Sequence, residues 1–384
     1  MSTLDIEELD ALRDAARGLL DRRSDSSAVR ALMAEEPPAS DQGLWKEMAD
    51  LGWCALLVPE ADGGLEAGLV PVSIILQQLG SHVAPGPFLS SAVLATTLLA
   101  SAPEQAAAKR WLPGLAEGGT IATVAVTAPG GRVHRDTFEL RATTGGSGIV
   151  LDGTAHHVLD ARDADVFVVG ANDTDGAPLL VAVAADATIT VEAVPSIDRS
   201  RPLAHVTFSG VSVGDDAVLA RGDAVGALID HFIDVAAIAL AADAVGASGR
   251  ALDMSVEYSK ERVQFGRVIG SFQAIKHKLA DMFVLQQGAE AAVEGAATGL
   301  DLDPDGSRRR SAAAGTFCRS AAGRIVGDAV QTHGGIGFTW EHDCHLLWKR
   351  AKFDEVYLTD LWNQQERLIE TVLEQAGVTE PSKA

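Results

Sequence analysis

The sequence predicts an α+β chain in three successive parts: a helical first domain over 1–120, a small antiparallel β domain over 121–220 and a long-helix bundle over 221–384. Three observations predict this. Apolar residues recur at helical spacing as far as about Gly118, then fall into short runs separated by Gly, Asp and Pro between 121 and 219, and the helical period returns after Arg221. With 384 residues at 47% hydrophobic content, the chain can bury a large core in two or three domains.

The first part is helical from Leu4 onward. Val72, Ile75, Leu76 and Leu79 lie on one helical face, and Gly80 is expected to stop that helix. Pro85-Gly86-Pro87 then forces a turn before the apolar run 89–99. Strands are expected at 121–126, 149–151, 166–169, 179–183, 189–194 and 206–208, where β-branched residues cluster. Gly145-Gly146-Ser147-Gly148 resembles a phosphate loop, but its place between two such runs makes it a hairpin connection. In the last part Phe272, Ile275, Leu279, Met282 and Phe283 form an apolar stripe on one helix, and 303–306 is a Pro and Gly break before the next. Residues 377–384 read as a frayed tail.

An excess of 53 acidic over 31 basic side chains gives a net charge of -22, which disfavours nucleic acid and anionic membranes as partners. The apolar stretch 232–247 is interrupted by Asp234 and Asp243, so it reads as a buried helix and not as a membrane span. Cys54, Cys318 and Cys344 lie far apart without CxxC spacing, which fits a reducing cytoplasm. The acidic segment 1–10 has neither a basic nor an apolar leader region, so secretion is not indicated.

Two motifs carry the chemistry. Gln331-Thr332-His333-Gly334-Gly335-Ile336-Gly337-Phe338 lets a backbone approach an anionic or planar ligand, and Arg262-Val263-Gln264-Phe265-Gly266, followed by Gln273, offers fixed donors for phosphate and ring edges. Their order and spacing resemble the acyl-CoA dehydrogenase family. Local matches extend the resemblance over essentially the whole chain: Leu51-Gly52-Trp53, Val58-Pro59-Glu60, Gly63-Gly64, Trp111-Leu112-Pro113 and Trp340-Glu341-His342. The resemblance implies an N-terminal helical domain, a small β-barrel-like middle domain and a C-terminal four-helix bundle. It also implies FAD as cofactor, an acyl-CoA thioester as substrate and assembly into dimers and tetramers.

In that family a carboxylate removes the α-proton while a hydride leaves the β-carbon for the flavin. By resemblance, Arg262, Phe265, Gln273, Gln331 and Gly335 belong to the set that crosses the dimer interface to the neighbour's flavin, and this set is intact. The set that holds a subunit's own flavin is altered. The family's usual Thr-Glu-Pro-Gly-Ala-Gly-Ser-Asp is here Thr127-Ala128-Pro129-Gly130-Gly131-Arg132, and its Trp-Ile-Thr-Asn is His157-Val158-Leu159-Asp160. At the two places where the family carries its base stand Leu358 and Ala236, neither of which can take a proton. Asp243 lies on the same helical face as Ala236 among apolar neighbours, and is the candidate substitute although about 10 Å further along the axis. Glu355 is a second nearby carboxylate.

These readings favour the non-catalytic partner in a heteromeric, α2β2 acyl-CoA dehydrogenase, of the kind that degrades bulky thioesters such as steroid side chains in bacteria. The alternatives are a self-sufficient homo-oligomer using Asp243 and a flavin-free thioester-binding scaffold. No metal is expected: His156 and His157, being adjacent on a strand, are expected to face opposite ways. The basic run Arg308-Arg309-Arg310 reads as a solvated helix start, with a CoA phosphate as the other possibility.

Overall fold

The structure is a computed structural model that describes residues 5–36, 40–145, 148–303 and 306–376. Expectations for Leu4, Gly146-Ser147, Pro304-Asp305 and the tail 377–384 lie outside the described residues.

Helices α1 (Ile6–Arg23), α2 (Ser26–Ala34) and α3 (Gln42–Asp50) each follow an aspartate, Asp5, Asp25 or Asp41, whose carboxylate accepts free first-turn N–H groups. At α1 Glu8 reaches back to the Asp5 N–H, completing a capping box. Helix α4 (Leu69–Ser81) is buried on most of its surface. Gly80 does not stop it: the helix runs one residue further, and a Cβ at Gly80 would lie 2.0 Å from the Asp243 carbonyl oxygen. The glycine is there for close helix contact, not for a left-handed cap. After Pro85-Gly86-Pro87 a π-helical segment (Phe88–Ala95) continues into α5 (Thr96–Ala100), and α6 (Ala106–Ala116) closes the helical part.

The central sheet has eight strands: β1 (Ala122–Ala125), β2 (Leu140–Gly145), β3 (Gly148–Leu159), β4 (Val166–Asn172), β5 (Pro178–Ala184), β6 (Ile189–Val194), β7 (Leu203–Val213) and β8 (Val218–Arg221). They run in the order β6-β7-β3-β2-β4-β5-β8, with β1 also paired to β4. The expectation of a purely antiparallel domain is corrected here, because β1 and β2 both run parallel to β4. Parallel neighbours need a crossover, and the β2–β3 hairpin inserted between β1 and β4 provides one. That hairpin closes with Gly145 opposite Gly148, as the glycine run suggested. Strands β2 and β8 were not foreseen: β2 buries only Leu140 and Ala142, and β8 is four residues long.

Helix α7 (Asp223–Glu261) is the longest element, and its centre 232–247 is almost wholly buried between α4, the π-helical segment and the bundle. By length and composition it could cross a membrane, but it is the core helix here. A two-residue hairpin, β9 (Val263–Gln264) and β10 (Arg267–Val268), connects it to α8 (Gln273–Leu302). Then come α9 (Ser307–His333), α10 (Cys344–Val356) and α11 (Leu361–Gln375). Of the stripe expected on α8, Met282 is buried, whereas Phe283 and the adjacent Val284 are more than half exposed.

Candidate functional site

The two motifs are brought together at the ends of α7 and α9. Arg262 caps α7 and donates its N–H to the Tyr258 carbonyl at 2.9 Å. Its guanidinium is exposed and makes no hydrogen bond or ion pair among the described residues. Phe265 and Gly266 form the turn of the β9–β10 hairpin with φ of 53° and 78°, the double left-handed conformation of a two-residue hairpin. For phenylalanine this is an uncommon conformation, and its ring stands 92% exposed. Gln273 opens α8 and is exposed. Gln331 is exposed near the end of α9, and Gly335 lies in the 3₁₀ turn Gly334–Phe338 that follows it. Across the interface between these elements the Tyr258 ring stacks on His333, with centroids 4.6 Å apart and planes 29° apart.

The loop expected to hold the chain's own flavin is engaged with the protein itself. Arg132 forms a parallel bridge with Leu358, the Val133 N–H donates to the Leu358 carbonyl at 3.2 Å, and Arg132 pairs with Asp360 at 2.6 Å. A bulge between Ala155 and Val158 puts His157 at φ 53°. It therefore breaks the alternation expected for adjacent strand residues: the rings of His156 and His157 both pack on His205, at 4.6 and 5.3 Å. Burial, and then the neighbouring His205, holds both imidazoles below their ordinary pKa. No group of three or more His, Cys, Asp or Glu among the described residues is arranged to hold a metal ion. Leu159, at the expected hydroxyl position, is a fully buried aliphatic side chain.

At the two positions expected for a base, Leu358 is 1% and Ala236 0% exposed, and both lie in one apolar cluster with Leu159, Val235 and Tyr357. Leu358 is itself left-handed, at φ 61°. Asp243 does not stand in as a free carboxylate. It is 0% exposed, receives Arg201 at 2.5 Å, and accepts from Arg350 at 3.2 Å on both oxygens. Arg350 also pairs with Asp198 at 2.6 Å and donates to Ser200 and to the Ala84 carbonyl. Burial opposes the Arg350 charge, but the Asp243 and Asp198 carboxylates outweigh it and keep the guanidinium ionised. Both carboxylate oxygens of Asp243 are thus engaged by guanidinium groups inside the protein. Glu355 is paired with Lys352.

Two more acids flank this network. Asp160, left-handed at φ 53°, accepts from Ser90, and burial raises its pKa to about 6. Asp354 is buried with neither oxygen hydrogen-bonded among the described residues; burial first, and then the Asp243 charge, raises it well above the carboxylate range. Sequence reasoning missed this group, because its members join three parts of the chain through contacts that no local spacing encodes. The run Arg308-Arg309-Arg310 is partly tied down within the bundle, Arg308 to Glu370 and Arg310 to Asp303.

Family models match twice: acyl-CoA dehydrogenase, N-terminal domain, over residues 6–119, and acyl-CoA dehydrogenase, C-terminal domain, over residues 227–358. The chain is 33% identical over 347 residues to acyl-CoA dehydrogenase IpdE2 of Mycolicibacterium smegmatis, covering 90% of this chain and 92% of that protein. Among solved structures, the ChsE4-ChsE5 complex from Mycobacterium tuberculosis aligns at TM-score 0.84 and 27% identity, over 98% of this chain and 99% of the matched one. A variant of the Tcur3481-Tcur3483 steroid ACAD aligns at TM-score 0.85 and 28% identity, over 97% of this chain and 99% of the matched one.

Proposed function

Because this chain belongs to the acyl-CoA dehydrogenase family, we propose that it is the non-catalytic subunit of a heteromeric, FAD-dependent acyl-CoA dehydrogenase. In this reading it forms an α2β2 assembly with a second acyl-CoA dehydrogenase-like chain in the cytoplasm. The partner holds the flavin by its ring and supplies the base. This chain supplies Arg262, Phe265, Gln273, Gln331 and Gly335 across the interface. The carrying observation is a contrast within one molecule: Arg262 is exposed with no partner among the described residues, while Leu358 and Ala236 are buried aliphatic groups where a base would stand.

The residues present fit one end of FAD and not the other. Arg262 suits a phosphate, because a guanidinium offers two parallel donors in a fixed plane. Gly334 and Gly335, with no side-chain atoms within 4 Å of where a Cβ would stand, leave room for a planar group. The loop 127–132 lacks the acid and the Ser-Asp of the family pattern and is bridged to Leu358, and His157 and Leu159 stand where that pattern has its indole and hydroxyl. When bound, FAD supplies the two-electron acceptor that no side chain offers. This chain's part is to hold that group's anionic portion and to close one wall against water, while the α-proton goes to a carboxylate of the partner.

The likeness to a steroid ACAD and to a two-protein complex supports a bulky CoA thioester as the substrate class. A self-sufficient enzyme is disfavoured by the paired state of Asp243, and a flavin-free scaffold by the retained Arg262 set. In the purified complex, Arg262→Ala is expected to weaken flavin retention by about 10-fold or more, the loss of a charge-assisted contact worth about 1.5–3 kcal/mol. Unchanged flavin affinity, measured by equilibrium dialysis, would contradict the assignment.

A further inference from the structure

We propose that Tyr258 and His333 are positioning residues that lock the end of α7 to the end of α9, so that Arg262 and the Gln331–Gly335 segment meet one ligand in a fixed relative geometry. The inference rests on the flavin reading of those residues and adds two side chains to it. Tyr258 stands one turn before Arg262, and its carbonyl receives the Arg262 N–H at 2.9 Å. His333 stands two residues after Gln331 and two before Gly335. The two rings stack at 4.6 Å and 29°.

Three further contacts fix the His333 side of the stack. Its Nδ1 lies 2.8 Å from the Ala329 carbonyl, so this nitrogen carries the proton and the ring is held in one orientation. The His342 ring also packs on it, at 4.5 Å and 54°, and His342 Nδ1 accepts the Cys344 N–H at 3.1 Å. Gly337 folds the turn back so closely that a Cβ there would lie 3.1 Å from the His333 Cβ and 3.0 Å from the Val330 carbonyl oxygen. The turn carrying Gly335 is thereby packed against the Cβ of the same histidine whose ring meets Tyr258. Separately, each helix end is free to fray; through the stack the two ends move as one.

The test is a double-mutant cycle in the purified two-chain complex, reading the flavin dissociation constant alongside the melting curve. Tyr258→Leu removes the ring face and is expected to weaken flavin binding about 3- to 10-fold, the range of one aromatic pair, with the melting transition little changed. Tyr258→Phe keeps the face and should restore binding to within about two-fold. His333→Asn, which keeps a donor for the Ala329 carbonyl but removes the ring, should reproduce the Leu phenotype. In an Arg262→Ala background the Tyr258→Leu effect should shrink toward nothing, because the stack acts through Arg262. If Arg262→Ala weakens binding while Tyr258→Leu and His333→Asn do not, the positioning role is overturned and the flavin reading stands. Additive effects in the cycle, or failure of Tyr258→Phe to rescue, also overturn it. If Arg262→Ala itself changes nothing, the flavin reading falls and takes the positioning role with it.

Discussion

Asp243 sits between two arginines in a place no water reaches, and that setting decides its role. Asp243→Asn would leave Arg201 and Arg350 short of their shared counter-charge, at a cost of about 3–5 kcal/mol, as when a buried pair loses one partner. The expected result in urea unfolding is a large drop in midpoint with a similar slope; a midpoint near that of the unaltered protein would mean the network is not structural. Asp160 gives a pH signature of known sign. Its folded pKa, about 6, lies above the ordinary 3.8, so its stabilising share is complete below about pH 4 and is lost as pH rises through about 6. That difference corresponds to on the order of 3 kcal/mol. Asp160→Asn, which suits the left-handed backbone, should therefore gain on the unaltered protein between pH 4 and pH 8 in unfolding experiments. An unchanged difference across that range would show that the carboxyl is not held up by burial. The sequence showed Asp243 as unusual because its neighbours are apolar, but its partners lie 42 and 107 residues away and follow no periodicity.

Among the elements, the contact of α4 with α7 is the tightest test of packing. A Cβ at Gly80 would meet the Asp243 carbonyl oxygen at 2.0 Å, and one at Gly246 would meet the Gln77 carbonyl oxygen at 1.8 Å. Both helices give way only by separating, so Gly80→Ala and Gly246→Ala should each cost at least about 1–3 kcal/mol. Gly295, inside α8, has nothing within 4 Å of a Cβ, and Gly295→Ala should instead stabilise by about 0.5–1 kcal/mol. Thermal unfolding of the three variants checks the contrast; equal effects would rule out the close approach. The helices were legible because their apolar period persists over many residues, and strand β6 matched its expected bounds at 189–194. Parallel pairing of β1 and β2 with β4 was not legible, since strand direction depends on connections made elsewhere in the chain. The β3 bulge that turns His157 toward His156 and His205 likewise has no local signal in residue order.

Over the molecule as a whole, the ends of α7, α8 and α9 present the exposed Arg262, Gln273 and Gln331, while Leu358 and Ala236 are buried aliphatic side chains. The exposed Phe265, Phe283 and Val284 leave apolar area on the same α7–α8 region, as expected for a surface covered by another chain. The Arg262 and Gln331 motifs were readable from sequence because their residue types and order are local. The Tyr258–His333 stack that joins them was not, because it exists only once α7 and α9 pack. If this chain lends flavin contacts and does not catalyse by itself, the flavin content per chain must depend on the partner. Counting flavin therefore decides the matter, first for the protein purified alone and then for the protein co-purified with its partner. Little or no flavin and poor turnover are expected alone, and one flavin per pair of chains in an active complex. A stable homo-oligomer with one flavin per chain and full turnover would contradict this assignment.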